Sequence, residues 1–190
     1  VVAAGTGLGI AVLAWDGHAH RPCATEGGHV GFAPRNEQEI GVLRHLQRRL
    51  GRVSVEQVVS GPGLAALHDA LAAIRLRDAP DRSAAIAAAR LEARDPLCTA
   101  ALALFTECYA AAAGDAALAH LALGGVWLGG GIAPKILPAL RRPEVREAFL
   151  DKGRFRGLLE RLPLEVCLEP DTALRGAARL ALADAEAEGP

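Results

Sequence analysis

Two polar side chains on a glycine loop form the first candidate binding site of this sequence. Glu26 and His29 stand three residues apart in Glu26-Gly27-Gly28-His29, directly after a predicted strand. Vicinal hydroxyls of a sugar need both hydrogen-bond acceptors and donors, and a carboxylate beside an imidazole offers both. The same four residues are also compatible with a solvated surface loop, so the motif alone leaves both interpretations open.

A glycine-rich turn near the start of the chain is the second candidate. In Gly5-Thr6-Gly7-Leu8-Gly9 the missing side chains would let backbone N–H groups and the Thr6 hydroxyl approach a phosphate closely. The turn is not a Walker A loop, because no Gly-Lys-Ser/Thr follows, and not a Rossmann fingerprint, because a strand comes next instead of a helix. A plain glycine hairpin is the alternative interpretation.

The third candidate is a short apolar strand with glycines on both sides, in residues 124–131. The glycines that follow this strand would allow a flat ring such as adenine to lie against bare backbone; they are Gly129, Gly130 and Gly131. They would equally allow close packing of a helix on the strand. The two interpretations are compatible with each other.

A metal site is the competing hypothesis for the first 30 residues. His18, His20, Cys23 and His29 lie within twelve residues and are all possible zinc ligands. On a strand, however, residues 18 and 20 share one face while residue 23 points to the other, and no second cysteine pair completes the set. We therefore predict that the chain binds no metal here.

The elements that must position these residues follow from periodicity and capping signals. The chain opens with three strands joined by a glycine turn and by Asp16-Gly17, which is typical of a tight hairpin. Apolar spacing predicts a helix over 37–50, and Ser54 is expected to cap a short helix with Glu56 in its first turn. Further helices and strands are predicted at 64–74, 83–93, from Pro96 onward, 126–128, from 133 onward, 164–168 and 173–186. We predict one α/β domain with a mixed sheet over 1–190.

Composition limits the possible partners and the compartment. Apolar residues make up 51% of the chain and aromatic residues 4%, which favours helices built from small aliphatic side chains. The formal net charge is −1 and the arginines are scattered, so neither nucleic acid nor a membrane surface is an expected partner. The four cysteines show no CxxC spacing, which indicates reduced thiols and a cytoplasmic protein. With no methionine in 190 residues and a strand pattern from residue 1, we expect an N-terminal half to be missing.

Taken in order, the motifs resemble the bacterial glucokinase family, which has the ribonuclease H-like (actin-like ATPase) fold. VVAAGTGLGIAVL is similar to the family's second phosphate-binding segment, EGGHVGFAP to its sugar-binding loop, and VSVEQVVSGPGL to the segment after it. GGVWLGGGIAPK is similar to its adenosine motif and FLDKGRF to a late signature. The resemblance spans roughly residues 1–180 and implies the C-terminal, larger domain of an enzyme that phosphorylates glucose with Mg²⁺ and ATP.

The resemblance also implies roles for individual residues. Glu26, His29 and Glu56 would bind glucose hydroxyls. Gly5, Thr6 and Gly7 would contact the phosphates of ATP. Gly129, Gly130 and Gly131 would line the adenosine pocket. The family's Asp-Gly-Gly-Thr motif and the Asn-Asp pair with the catalytic base are absent, so we expect the base upstream and these 190 residues to be inactive alone. The turn at 170–176 departs from the family pattern, which puts its contacts in doubt.

Three alternatives stay open at this point. One is a sugar-binding sensor or regulator that keeps the fold without turnover, in which a helix-turn-helix is expected, although none is visible in these residues. Another is a kinase that uses polyphosphate instead of ATP. The third open question is the oligomeric state, for which a homodimer is one possibility.

Overall fold

A computed structural model describes residues 1–78 and 96–187 and contains an α/β arrangement around one five-stranded sheet. The strands lie in the order β3-β2-β1-β4-β5. Their bounds are β1 Val2–Ala4, β2 Leu8–Trp15, β3 His20–Thr25, β4 Val126–Gly129 and β5 Leu164–Val166. The first three are antiparallel neighbours, whereas β4 and β5 run parallel to β1, so the predicted mixed sheet is confirmed.

Seven α-helices accompany the sheet in the described part of the chain. They are α1 Glu37–Leu50, α2 Gly61–Asp78, α3 Pro96–Ala119, α4 Leu137–Leu140, α5 Pro143–Leu150, α6 Arg156–Leu159 and α7 Thr172–Ala187. Three short 3-10 helices lie at Gly27–His29, Ala133–Ile136 and Gly153–Phe155. The predicted helices at 37–50, after Ser60, from Pro96 and near the end are confirmed, while the one predicted at 83–93 lies outside the described residues.

Sheet topology brings the three candidate segments to one edge. β1 and β4 run parallel, with Ala3 opposite Gly129, so both strands end at the same edge. β2 starts there because Leu8 pairs with Ala4, and β3 ends there because Thr25 pairs with Ile10. The loops that follow β1, β3 and β4 are therefore neighbours.

Helix α3 is the centre of the core. It buries Leu104, Phe105 and Tyr109 together with Val2 of β1 and Leu128 of β4. Its 24 residues are apolar enough to cross a membrane, but 61% of its most apolar window is buried inside the protein. That burial fits the central helix of a globular core, where small alanine side chains permit close packing.

The segment after Ser54 is a series of turns and not the short helix that the capping pattern predicts. Half of the pattern does form, since the Ser54 N–H donates to the side-chain oxygen of Gln57 at 2.8 Å. The chain then continues as turns, with the Val55 N–H donating to the Val30 carbonyl oxygen at 3.0 Å and with Val58 and Val59 both fully buried. The result places Glu56 on a turn whose N–H donates to the Gly28 carbonyl oxygen at 2.9 Å.

The β2–β3 connection is a loop of four residues, wider than the tight hairpin that the Asp16-Gly17 pair predicts. Only Gly17 has a positive φ, of 99°. The Asp16 carboxylate accepts from the backbone N–H groups of His18 and Ala19, each at 2.8 Å, in addition to the backbone hydrogen bond from the Asp16 N–H to the Ala19 oxygen at 3.1 Å. The hydrogen bonds to the carboxylate, the one from Ala19 first, hold the pKa of Asp16 well below its ordinary value.

A buried ion pair fixes the chain between the Glu26–His29 loop and α1. The fully buried carboxylate of Glu39 accepts from the backbone and guanidinium of Arg35 and from the Asn36 side chain. Asn36 in turn caps α1 by accepting from the Glu39 N–H at 2.9 Å. The pair therefore ties the start of the helix to the loop before it.

Glu39→Ala is expected to lower the free energy of unfolding by about 3–5 kcal/mol, because it leaves the largely buried Arg35 guanidinium with Glu107 as its remaining carboxylate at 4.0 Å. Urea denaturation followed by circular dichroism measures the change. Gln38→Ala, at the exposed neighbouring position, is the control and should change stability by less than about 0.5 kcal/mol. Equal effects from the two variants would contradict this role for the ion pair.

Candidate functional site

The Glu26–His29 loop is held rigidly against the start of β2. Gly28 is buried, and a Cβ at this position would lie 2.1 Å from the Leu8 carbonyl oxygen, so only glycine fits. On its other side the Gly28 oxygen accepts from the Glu56 N–H. The Arg52 guanidinium donates to the His29 carbonyl oxygen at 2.7 Å. This backbone is therefore fixed from both sides before any ligand binds.

The structure brings the three predicted sugar ligands together. His29 Nε2 lies 3.7 Å from Glu26 Oε2, and His29 Nδ1 lies 4.0 Å from Glu56 Oε1, so the imidazole stands between two carboxylates. The side chains are 90% exposed for Glu26, 59% for His29 and 31% for Glu56. The group is open to solvent on one side and presents acceptors and an imidazole within one small area, which suits adjacent hydroxyl groups.

Glu56 also links the sugar candidates to the glycine turn. Its Oε2 accepts from the Leu8 N–H at 2.9 Å. A Cβ on Gly7 would lie 2.5 Å from the same oxygen. A side chain at Gly7 would therefore have to displace the Glu56 carboxylate, a contact that local sequence could not show because the two residues are far apart in the chain.

The turn at Gly5–Gly7 is closed by its own backbone. The Gly5 N–H donates to the Gly7 carbonyl oxygen at 2.8 Å, and the Gly5 carbonyl oxygen accepts from the Gly61 N–H at 2.8 Å. Thr6 lies exposed at the tip of this turn. The turn therefore presents a hydroxyl at its tip, and its phosphate-facing role stays a prediction.

The loop after β4 lies directly beside the end of β1. Gly130 has φ of 81°, and a Cβ there would come within 2.2 Å of the Ala4 carbonyl oxygen. The same oxygen accepts from the Ile132 N–H at 3.3 Å. Gly131 faces open space, where a Cβ would meet nothing within 4 Å. The Gly129–Gly131 and Gly5–Gly7 segments thus lie next to each other at the same edge of the sheet.

Two residues that sequence reasoning missed support this surface, Arg52 and Tyr109. Tyr109 Oη lies within hydrogen-bonding distance of Ala4 N at 3.2 Å, and of Val2 O and Gly129 O at 2.9 Å each. As the single tyrosine of the sequence, in the middle of an apolar helix, it could have been noticed because a buried phenol needs a polar partner. Arg52 carries no comparable signal.

The histidines and cysteine of the metal hypothesis do not converge. His20 is exposed and lies beside Trp15, with ring centroids 5.0 Å apart. His29 faces Glu26 and Glu56 at the edge of the sheet where β3 ends, whereas His18 and His20 lie near the start of β3. Within residues 1–78 and 96–187, no group of three or more His, Cys, Asp or Glu side chains is arranged to hold a metal ion.

Comparison with known proteins decides the family. The family model described as glucokinase matches residues 1–184. The chain belongs to the glucokinase family. It is 45% identical over 179 residues to a glucokinase of Marinobacter nauticus, covering 94% of this chain and 56% of that protein. It is 44% identical over 180 residues to a glucokinase of Caulobacter vibrioides, with 94% and 54% covered.

Solved glucokinase structures have the same fold. A crystal structure of glucokinase from an Antarctic psychrotroph superposes with a TM-score of 0.79 at 34% identity, covering 93% of this chain and 55% of that one. A Balamuthia mandrillaris glucokinase structure matches with a TM-score of 0.68 at 21% identity, over 89% of this chain and 49% of that one. The predicted actin-like fold is therefore confirmed. This glucokinase-family chain spans about half the length of the curated relatives it matches.

Proposed function

We propose that this chain is the larger domain of a glucokinase that transfers a phosphoryl group from ATP to glucose and forms glucose 6-phosphate. The observation that carries the proposal is the convergence of Glu26, His29 and Glu56 beside the Gly5–Gly7 turn. Family membership supports the same reaction. A site for hydroxyl groups that shares a wall with a phosphate-facing turn is the arrangement that sugar phosphorylation needs.

In this proposal, the chain's own residues act by positioning. The carboxylates of Glu26 and Glu56 accept hydrogen bonds from glucose hydroxyls, and the imidazole of His29 donates or accepts a further one. The fixed backbone at Gly28 keeps these groups in place, so binding energy is not spent on ordering the loop. None of the three is assigned as the base that takes the proton of the 6-hydroxyl, and no catalytic residue is assigned within this chain.

ATP is the proposed donor because two glycine segments are adjacent. Gly5, Thr6 and Gly7 would face the phosphates, and Gly129, Gly130 and Gly131 would leave room for the adenosine. Polyphosphate has no adenosine, so it would not need the second glycine segment. Mg²⁺ is proposed to enter with the substrate, as MgATP.

The proposed location is the cytoplasm. Cys23, Cys108 and Cys167 are free thiols in the structure. Burial raises the pKa of the Cys108 thiol far above its ordinary value, which keeps it protonated and unreactive. Free thiols fit a reducing compartment.

A coupled assay tests the proposed function. The protein that carries this chain is incubated with glucose, ATP and Mg²⁺, and glucose 6-phosphate is detected through a dehydrogenase. We expect turnover that requires both glucose and ATP. Glucose binding without any phosphorylation would instead favour the sensor hypothesis, and turnover with polyphosphate but not with ATP would reassign the donor.

Gly130→Ala is expected to raise the KM for ATP by about tenfold, because a side chain at this positive φ is strained and its Cβ would collide with the Ala4 carbonyl oxygen. The KM for glucose should stay within about twofold. Gly157→Ala is the control, since this glycine lies on α6, outside the proposed ATP segments, and its Cβ would enter open space. If both variants bind ATP like the wild type, the adenosine assignment of this loop is wrong.

A further inference from the structure

Tyr109 places a buried hydroxyl between the two glycine segments. Its oxygen accepts from the Ala4 N–H at 3.2 Å and lies 2.9 Å from the carbonyl oxygens of both Val2 and Gly129. Ala4 is the last residue of β1, directly before Gly5, and Gly129 is the last residue of β4, directly before Gly130. One side-chain atom thus contacts the residue before the Gly5–Gly7 turn and the first residue of the Gly129–Gly131 loop.

The phenol is held so that its hydroxyl has little freedom. Tyr109 is completely buried, and its ring packs edge-on against Phe105 with centroids 6.1 Å apart. Burial raises the pKa of Tyr109 to about 12, so the hydroxyl keeps its proton and remains able to donate. Its single hydrogen can be donated to either the Val2 or the Gly129 oxygen while a lone pair accepts from Ala4.

A phenylalanine would fill nearly the same volume in this core, so packing alone does not explain the hydroxyl. What the oxygen adds is a link between β1 and β4 at the point where both strands end. The surroundings of Ala4 tighten the same region, because its carbonyl oxygen accepts from Ile132 and leaves no room for a Cβ at Gly130. The sugar loop, in contrast, is fixed by separate contacts of Gly28 with Leu8 and Glu56.

We propose that Tyr109 is a positioning residue for the nucleotide, which sets the distance between the phosphate-facing Gly5–Gly7 turn and the adenosine-facing Gly129–Gly131 loop. The proposal rests on the proposed function for the identity of the ligand. It extends that function by assigning nucleotide affinity to a residue that does not itself touch the nucleotide. Loss of the hydroxyl should let the two loops move relative to each other while the sugar ligands stay in place.

The test is Tyr109→Phe in the protein that carries this chain. We expect the KM for ATP to rise about tenfold, with kcat within about threefold and the KM for glucose within about threefold of the wild type. Calorimetric titration with ATP in the absence of glucose should show the same loss of affinity. Phe149→Leu is the control, because this fully buried side chain on α5 lies outside both loops. It should lower the melting temperature without changing the KM for ATP.

Three results would overturn the assignment. An unchanged ATP affinity in Tyr109→Phe would show that the hydroxyl does not position the loops. Equal rises in the KM values for ATP and glucose, or a variant that no longer folds, would show a general structural role. If the wild-type protein binds ATP but does not phosphorylate glucose, the proposed function fails, and the ATP titration still decides the role of Tyr109.

Discussion

Replacing Gly28 with alanine is expected to lower kcat/KM for glucose by about a hundredfold, because the added Cβ would lie 2.1 Å from the Leu8 carbonyl oxygen. That atom belongs to the backbone of β2, so it cannot swing aside as a long side chain would. The 26–29 loop must move instead, and Glu26 and His29 move with it. A displacement of about 1 Å in the side chains that bind the sugar hydroxyls is enough to lower the rate about a hundredfold.

Gly31→Ala is the matched control for this variant. It adds the same methyl group three residues further on, where a Cβ would meet nothing within 4 Å. Steady-state kinetics with varied glucose and circular dichroism of both variants separate a local effect from unfolding. Near-normal glucose kinetics in a folded Gly28→Ala protein would mean that the loop does not bind the sugar.

Replacing Glu56 with glutamine should weaken transition-state binding of glucose by about 1.5–3 kcal/mol, or roughly tenfold to more than a hundredfold in kcat/KM. Glutamine has nearly the same size, and its amide oxygen can still accept from the Leu8 N–H that Glu56 contacts at 2.9 Å. The substitution therefore removes the negative charge and leaves the backbone support. The KM for ATP should change by less than about threefold.

Glu26 and His29 are expected to contribute less to glucose binding than Glu56, because their side chains are more exposed. Glu26 is 90% exposed and His29 59%, compared with 31% for Glu56, and hydrogen bonds made in water contribute less than those made in a partly buried site. We therefore expect kcat/KM to fall least for Glu26→Ala. Glu37→Gln, an exposed carboxylate on α1, is the control for a general change of charge. A normal kcat/KM for glucose in Glu56→Gln would contradict the assignment of this carboxylate.

Much of the fold could be predicted from local sequence. The alternating strands around Gly5–Gly9 and the apolar spacing of Ile40, Leu43, Leu46 and Leu50 depend on nearest neighbours, and the structure has a meander and a helix there. The order of the strands in the sheet could not be obtained this way. It depends on which apolar faces cover α3, and that is a property of the whole core.

In the candidate site, too, local sequence predicted some features and missed those that depend on distant contacts. Glu26 and His29 are visible as a pair because they lie on one loop, and Glu56 came only from the family resemblance. The Glu56 carboxylate behind Gly7 and the Tyr109 hydroxyl between β1 and β4 depend on contacts between residues 20 to 105 positions apart. The helix predicted at Ser54 is wrong, and local sequence could not show that the N–H groups of Val55 and Glu56 donate to the carbonyl oxygens of Val30 and Gly28.

Calorimetric titration of glucose into the protein that carries this chain tests the central claim most directly, because it measures the sugar site without the phosphoryl donor. We predict one saturable glucose site per chain in the wild type, and a Kd at least about tenfold higher in Glu56→Gln. The Gly31→Ala control should bind like the wild type. Absence of saturable binding in the folded wild-type protein, or equal glucose affinity in the wild type and Glu56→Gln, would contradict the account.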